Sequence, residues 1–177
     1  MKKTFVLLML VCVAMIPAAS LAETEVATIT WEEFGEPMVA ELGTEGEFIA
    51  LSDLGLAVWL PSSMQSTAPS EEDAAAGRLA MFVDDDGSCA LTVDVVNVEG
   101  MTLNQAYENA VNSQMVEPEI VNVNGLDILT YGNTAINTGC AVLVDTNGNI
   151  VIFSFTPVDS DAGKLAFSII CASIMPM

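Results

Sequence analysis

The sequence predicts an α+β domain, an antiparallel β-sheet built from hairpins and covered by helices on both faces. Three observations predict it. Asn124-Gly125 and Asn147-Gly148 each separate a pair of apolar runs, and both residue types tolerate the positive φ of a tight hairpin turn. Thr30-Trp31-Glu32-Glu33 and Thr102-Leu103-Asn104-Gln105 have the spacing of capping boxes and open stretches of helical periodicity. Val151, Phe153 and Phe155 alternate with Ile150 and Ile152, so the strand from Ile150 to Thr156 is apolar on both faces. A strand of that kind is central and needs cover above and below.

The chain opens with the three segments of a secretory signal. Lys2 and Lys3 supply the positive start, and Phe5 to Ile16 is an apolar run of twelve residues, short for a membrane span. Pro17 breaks it, and Ser20-Leu21-Ala22 sets small residues where a signal peptidase reads them. Residues 1–22 are therefore expected to be a signal peptide. Cys12 follows Val11 rather than a small residue, so no lipid anchor is expected. Removing 22 of 177 residues leaves 155, enough for one domain with its own core. No later stretch has the length and apolarity of a transmembrane helix.

Residues 23–46 read as an N-terminal helical extension and 47–177 as a single α/β domain. Glu23 to Ile29 is an irregular leader. Trp31, Phe34, Met38 and Leu42 recur at helical spacing with Gly43 as the stop, while Pro37 requires a kink, or a turn before a helix starting at Pro37. Phe48 to Leu51 and Leu56 to Leu60 are strands flanking Ser52-Asp53-Leu54-Gly55. Ser62 to Gly77 is a long surface connection with a helical turn at Ser70 to Asp73. Arg78 to Val83 and Cys89 to Val98 flank Asp84-Asp85-Asp86-Gly87, and Cys89, Leu91, Val93 and Val95 share one strand face.

Leu103, Ala106, Tyr107, Ala110 and Val111 form the apolar stripe of the next helix. Strands at Ile120 to Val123, Leu126 to Tyr131, Cys140 to Val144 and Ile150 to Thr156 follow. Asp159, Ser160 and Asp161 offer caps for a last, deeply buried helix through Ile174, with Lys164 on its exposed side. Both halves run hairpin, hairpin, helix, without a repeat at the level of residues.

This layout resembles the PsbP-like α/β/α sandwich over about Glu47 to Ile174. Its best local features are Leu54-Gly55-Leu56-Ala57-Val58-Trp59-Leu60-Pro61, Val123-Asn124-Gly125-Leu126 and the final hairpin and helix. The fold is shared by the extrinsic photosystem protein PsbP, a small Ran-GTPase release factor and many uncharacterised exported bacterial proteins. The resemblance implies binding or assembly roles, mostly non-enzymatic, and carries over no functional residues. The N-terminal helix is an addition to the pattern.

Charge and missing residues bound the chemistry. The chain has 24 Asp and Glu, 4 Lys and Arg and no His, a net charge of −20. Lys2 and Lys3 leave with the signal, so two cations, Arg78 and Lys164, face 24 acids at a net −22. Such a surface repels phosphate and anionic lipid, which argues against nucleic-acid and membrane-surface binding and favours a cation or a basic protein. Without histidine there is no Ser-His-Asp triad, Cys-His dyad or histidine metal site. No GxxxxGK[ST] loop is present. Asp145-Thr146-Asn147-Gly148 lacks the aspartic-protease Asp-Thr/Ser-Gly and reads as a turn. Cys89, Cys140 and Cys171 are odd in number, so at least one thiol stays out of an internal disulfide; inert core thiols are expected.

Asp84, Asp85 and Asp86, followed by Gly87 and Ser88, concentrate hard oxygen ligands at one turn. An EF-hand register there places Phe82 first and Val93 last and fails, which leaves weak calcium binding of another kind, set against a solvated turn. Trp31 and Trp59 sit in patterned elements and are expected to pack in the core. The reading is thus an exported, acidic binding module, monomeric or weakly associating. Its expected partner is a basic protein surface or a metal ion. The alternative is a carboxylate-dependent hydrolase of envelope polymers or peptides, and a third reading is an extracytoplasmic component of a larger assembly.

Overall fold

The computed structural model describes residues 26–98, 100–145 and 147–177; the expected signal peptide, with Cys12, lies outside the described residues. Among the described residues the fold is α+β, with a mixed, mostly antiparallel sheet and four helices. From edge to edge the large sheet runs Thr28–Ile29 (β1), Val116–Val123 (β7), Leu126–Asn133 (β8), Thr138–Val144 (β9), Ile150–Thr156 (β10), Ala90–Val96 (β6), Arg78–Asp84 (β5) and Met64–Thr67 (β4). β1 lies parallel to β7, and the other neighbours are antiparallel. A small sheet has the order Met175–Pro176 (β11), Leu56–Pro61 (β3), Gly46–Leu51 (β2).

The helices are Glu36–Leu42 (α1), Glu71–Ala75 (α2), Leu103–Asn112 (α3) and Asp161–Ser173 (α4), with a π turn at Trp31–Gly35 and a 3₁₀ turn at Ser52–Leu54. Side chains close the helix starts. Thr30 accepts from the Glu33 N–H at 3.3 Å, and Thr102 and Gln105 form a complete capping box. Ser70 and Ser160 cap α2 and α4. Pro37 falls in the first turn of α1, where its missing N–H costs nothing. Gly43 ends α1 at φ +63, as the stop signal requires.

The core follows the alternation of the strands. Leu91, Val93, Ala141, Leu143, Val151, Phe153 and Phe155 join Leu56, Val58 and Leu60 of β3 and Ile170, Cys171 and Ile174 at the end of α4. A second cluster gathers Leu129, Val142 and Ile150, with Leu103 and Ala106 of α3 against it. β10 lies between β9 and β6, as its apolar faces demand. Each of its fully buried phenylalanines contributes about 1.5–3 kcal/mol by leaving water.

Several elements depart from expectation. The first hairpin, β2–β3, does not enter the large sheet; it joins β11 instead, so the two halves of the chain are not equivalent. The connection from Ser62 to Gly77 contains β4, where Met64 is buried beside the polar Gln65, Ser66 and Thr67 on β5. The leader includes β1. Leu42, Tyr107 and Val111 are exposed, so the apolar stripes of α1 and α3 are only partly covered. The loop at Asn147-Gly148 spans the five residues between β9 and β10, with Gly148 at φ +81. The Asp145 carboxylate organises it by accepting from Asn147 and Asn149 N–H at 2.8 Å each.

Asn124 and Gly125 both take positive φ, 50° and 86°, as a two-residue hairpin needs. The Asn124 amide then does more than turn the chain. Its Oδ1 accepts from Trp31 N–H at 2.8 Å, and its Nδ2 donates to the carbonyls of Ala172 at 2.8 Å and Ile174 at 2.9 Å. Those carbonyls stand at the C-terminal end of α4, where helical partners run out. Nearby, Ser173 Oγ donates to the Ile170 carbonyl at 2.7 Å and accepts from the Trp59 N–H at 2.9 Å. Asn124→Gly keeps the turn and removes the amide, and it is expected to cost about 2–4 kcal/mol in urea denaturation. A loss below about 0.5 kcal/mol would show that these bonds contribute little.

Candidate functional site

A shallow groove of about 630 Å³ lies between the π turn, α1 and the β2–β3 hairpin. Its aromatic lining is Trp31, Phe48 and Trp59. Trp31 meets Phe48 edge to face at a centroid distance of 5.2 Å and lies tilted against Trp59 at 5.8 Å. Two glycines make this possible. A Cβ at Gly35 would strike the Trp31 ring, and one at Gly46 would strike Trp59 and the Leu60 carbonyl. Trp59 is buried at 6% exposure, whereas Phe48 is 40% exposed. The expectation of core packing therefore describes Trp59 well, while Trp31 is half-buried and divided between packing and the groove wall.

Glu32, Glu36, Glu45 and Glu47 also line the groove, and all four are exposed. At the Glu45 end the acidic turn comes alongside. Ser62 N–H donates to the Glu45 carbonyl at 2.9 Å, and Asp85 N–H donates to the carbonyl of the next residue, Ser63, at 2.9 Å. Aromatic faces and carboxylates in one hollow suit an organic cation, which the ring quadrupole and the negative charge both attract. The sequence showed each tryptophan and each glutamate but not their convergence, which depends on Trp31 meeting Phe48 and Trp59, 17 and 28 residues further along the chain.

Asp84 closes β5, and Asp85 and Asp86 lie in the β5–β6 turn. Ser88 Oγ donates to Asp84 at 3.1 Å and Ser88 N–H to Asp86 at 2.7 Å. The hydrogen bonds from Ser88 hold the Asp86 carboxyl below its ordinary range. The carboxylates are thus partly engaged in building the turn. Among the described residues, no group of three or more Asp, Glu, Cys or His side chains is arranged to hold a metal ion.

The cations are few and one is spent. Arg78 bridges Asp73 and Asp94, at 2.9 Å to each. The Ser70 hydroxyl and then the Arg78 guanidinium hold the Asp73 carboxyl down. Slight burial raises the Asp145 carboxyl, but its bonds from Asn149 and Asn147 outweigh this and lower it. Asp73, Asp86 and Asp145 all favour the charged form, the opposite of what a general acid needs.

The thiols belong to the packing. Cys140 and Cys171 are buried, Cys89 is half-buried, and all three are free. Burial raises each thiol, with the Asp84 carboxylate adding to the rise at Cys89. Burial also pushes the Tyr131 hydroxyl up to about 12, beside Cys140. Among the described residues, no helix is long and apolar enough to cross a membrane.

No protein-family model matches the sequence, and no curated protein sequence does. The fold is similar to the solution structure of cyanobacterial PsbP (CyanoP) from Synechocystis sp. PCC 6803, with a TM-score of 0.55 and 14% identity over 92% of this chain and 100% of that one. The chain thus has a PsbP-like fold. The crystal structure of the Saccharomyces cerevisiae Ran-binding protein Mog1p is matched more loosely, with a TM-score of 0.41 and 12% identity over 73% of this chain and 88% of that one.

Protonated, buried thiols react slowly. With a thiol-specific reagent at about pH 8, Cys140 and Cys171 are expected to label at least about a hundredfold more slowly in the native protein than in denaturant, with Cys89 between the two rates. Rapid native labelling of all three would contradict the packing described.

Proposed function

We propose that the chain is an exported, acidic interaction module that holds a basic protein surface outside the cytoplasmic membrane. The groove carries this reading: three aromatic side chains share one hollow with four glutamates, in a chain where 24 acids face 4 bases. Export is supported by the signal-like residues 1–22. The site lies where the helical extension, from Trp31 onward, meets the β2–β3 hairpin of an α/β/α sandwich. Two separate apolar clusters support that sandwich, one joining β3 and the end of α4 and the other packed by Leu103 and Ala106 of α3.

Steering by so much like charge raises the association rate of a positive partner and is weakened by salt. A metal ion is the second partner considered for the acidic turn. Calcium titration by calorimetry tests it, and heat that Asp84→Asn/Asp86→Asn abolishes would move the partner from protein to ion.

The direct test uses the purified protein as bait on the envelope fraction of the producing cell, followed by rebinding of the isolated partner. The partner is expected to be basic, and its affinity to fall at least about tenfold from roughly 50 to 500 mM NaCl. A salt-insensitive partner of neutral or acidic charge would overturn the reading. So would hydrolysis of a defined envelope polymer or peptide, abolished by replacing two neighbouring carboxylates.

A further inference from the structure

We propose that the groove lined by Trp31, Phe48 and Trp59 seats the guanidinium of an arginine side chain on a basic polypeptide. The inference rests on the reading of the chain as an acidic interaction module, and it names what that module recognises.

The walls select the chemistry. Hard metal ions need converging oxygens, and among the described residues no three acidic side chains are arranged to supply them. An anion would meet Glu32, Glu36, Glu45 and Glu47. A neutral apolar segment would have to bury against those same carboxylates and desolvate them at a cost. A planar guanidinium avoids both problems, because it stacks on an aromatic face and keeps its N–H fork for carboxylates at the rim. Lysine satisfies the charge but not the planar fit.

The occupant is not a second copy of this chain. Two exported copies, at −22 each without the signal, repel. Arg78 is already committed to Asp73 and Asp94. The backbone bond from Asp85 N–H to Ser63 sets the Asp84–Asp86 carboxylates near the Glu45 end, so further basic residues flanking the arginine are favoured. Phe48 is the most accessible wall, 40% exposed, and its loss removes a contact face at little cost to the core.

Trp31 and Trp59 are the chain's two tryptophans, so emission excited where tryptophan absorbs and tyrosine does not reports on this groove. The experiment titrates the purified protein with an amidated peptide holding one arginine between glycines, and with its lysine and citrulline counterparts. Citrulline keeps the shape and loses the charge. The arginine peptide is expected to change the emission saturably, and the citrulline peptide to bind at least about tenfold more weakly. Phe48→Ala, and separately Glu36→Gln/Glu47→Gln, are expected to weaken arginine binding about threefold or more without lowering Tm appreciably. Glu108→Gln, on α3, should leave it unchanged. Equal binding of citrulline, or unchanged affinity in both groove variants, would overturn the arginine site while leaving salt-dependent capture of a basic partner standing. Failure of every basic peptide and protein to bind would remove the underlying reading as well.

Discussion

Three distant regions of the chain meet on one carboxamide. Asn124 offers an oxygen to Trp31 and two N–H bonds to the last carbonyls of α4. No other side chain of that size presents an acceptor and two donors in one rigid plane. Aspartate would face two carbonyls with negative charge, and leucine would leave three polar groups unmet. The bonds hold the π turn against the C-terminal end of α4, beside β1, which pairs with β7 at Thr28 and Ile29. Ser173 ties the same helix end to Trp59. Trp31 thus reaches Trp59, and the groove between α1 and β2–β3 follows from that meeting.

The electrostatic character of the surface is set by composition rather than by fold. Arg78 is absorbed by Asp73 and Asp94, while Lys164 lies exposed on α4. What the fold adds is a direction. It brings glutamates of α1 and of the β2–β3 hairpin around exposed aromatic surface, and sets the Asp84–Asp86 turn near one end. Diffuse negative charge attracts any cation weakly, whereas a ring face beside a carboxylate discriminates by shape. That difference separates recognition from mere solubility.

Much of the architecture was legible in the residues. Asn124-Gly125 marked its hairpin because both positions need positive φ, and Thr102 with Gln105 marked the start of α3 because the box satisfies two orphan N–H groups. The apolar faces of β10 placed it inside the sheet. Short or polar elements were not legible. β4 has one apolar residue in four, and β1 and β11 have two residues each, so periodicity has nothing to act on. The separation of β2–β3 from the large sheet depends on the pairing of Met175 with Ala57, a contact across the chain's length. Of the site, the aromatics and acids were visible singly. The second role of Asn124 was hidden behind its first, since a turn fully accounted for an Asn-Gly pair.

The N-terminal segment is fastened to the body of the protein through Asn124 and so completes the groove. Amide hydrogen exchange at Trp31 tests this most directly, because that N–H is donated to Asn124 Oδ1 at 2.8 Å. Slow exchange is expected at Trp31 in the native protein, becoming fast in Asn124→Gly while the amides of β10 stay protected. Exchange at Trp31 as fast as in an unstructured peptide, with β10 fully protected, would contradict it.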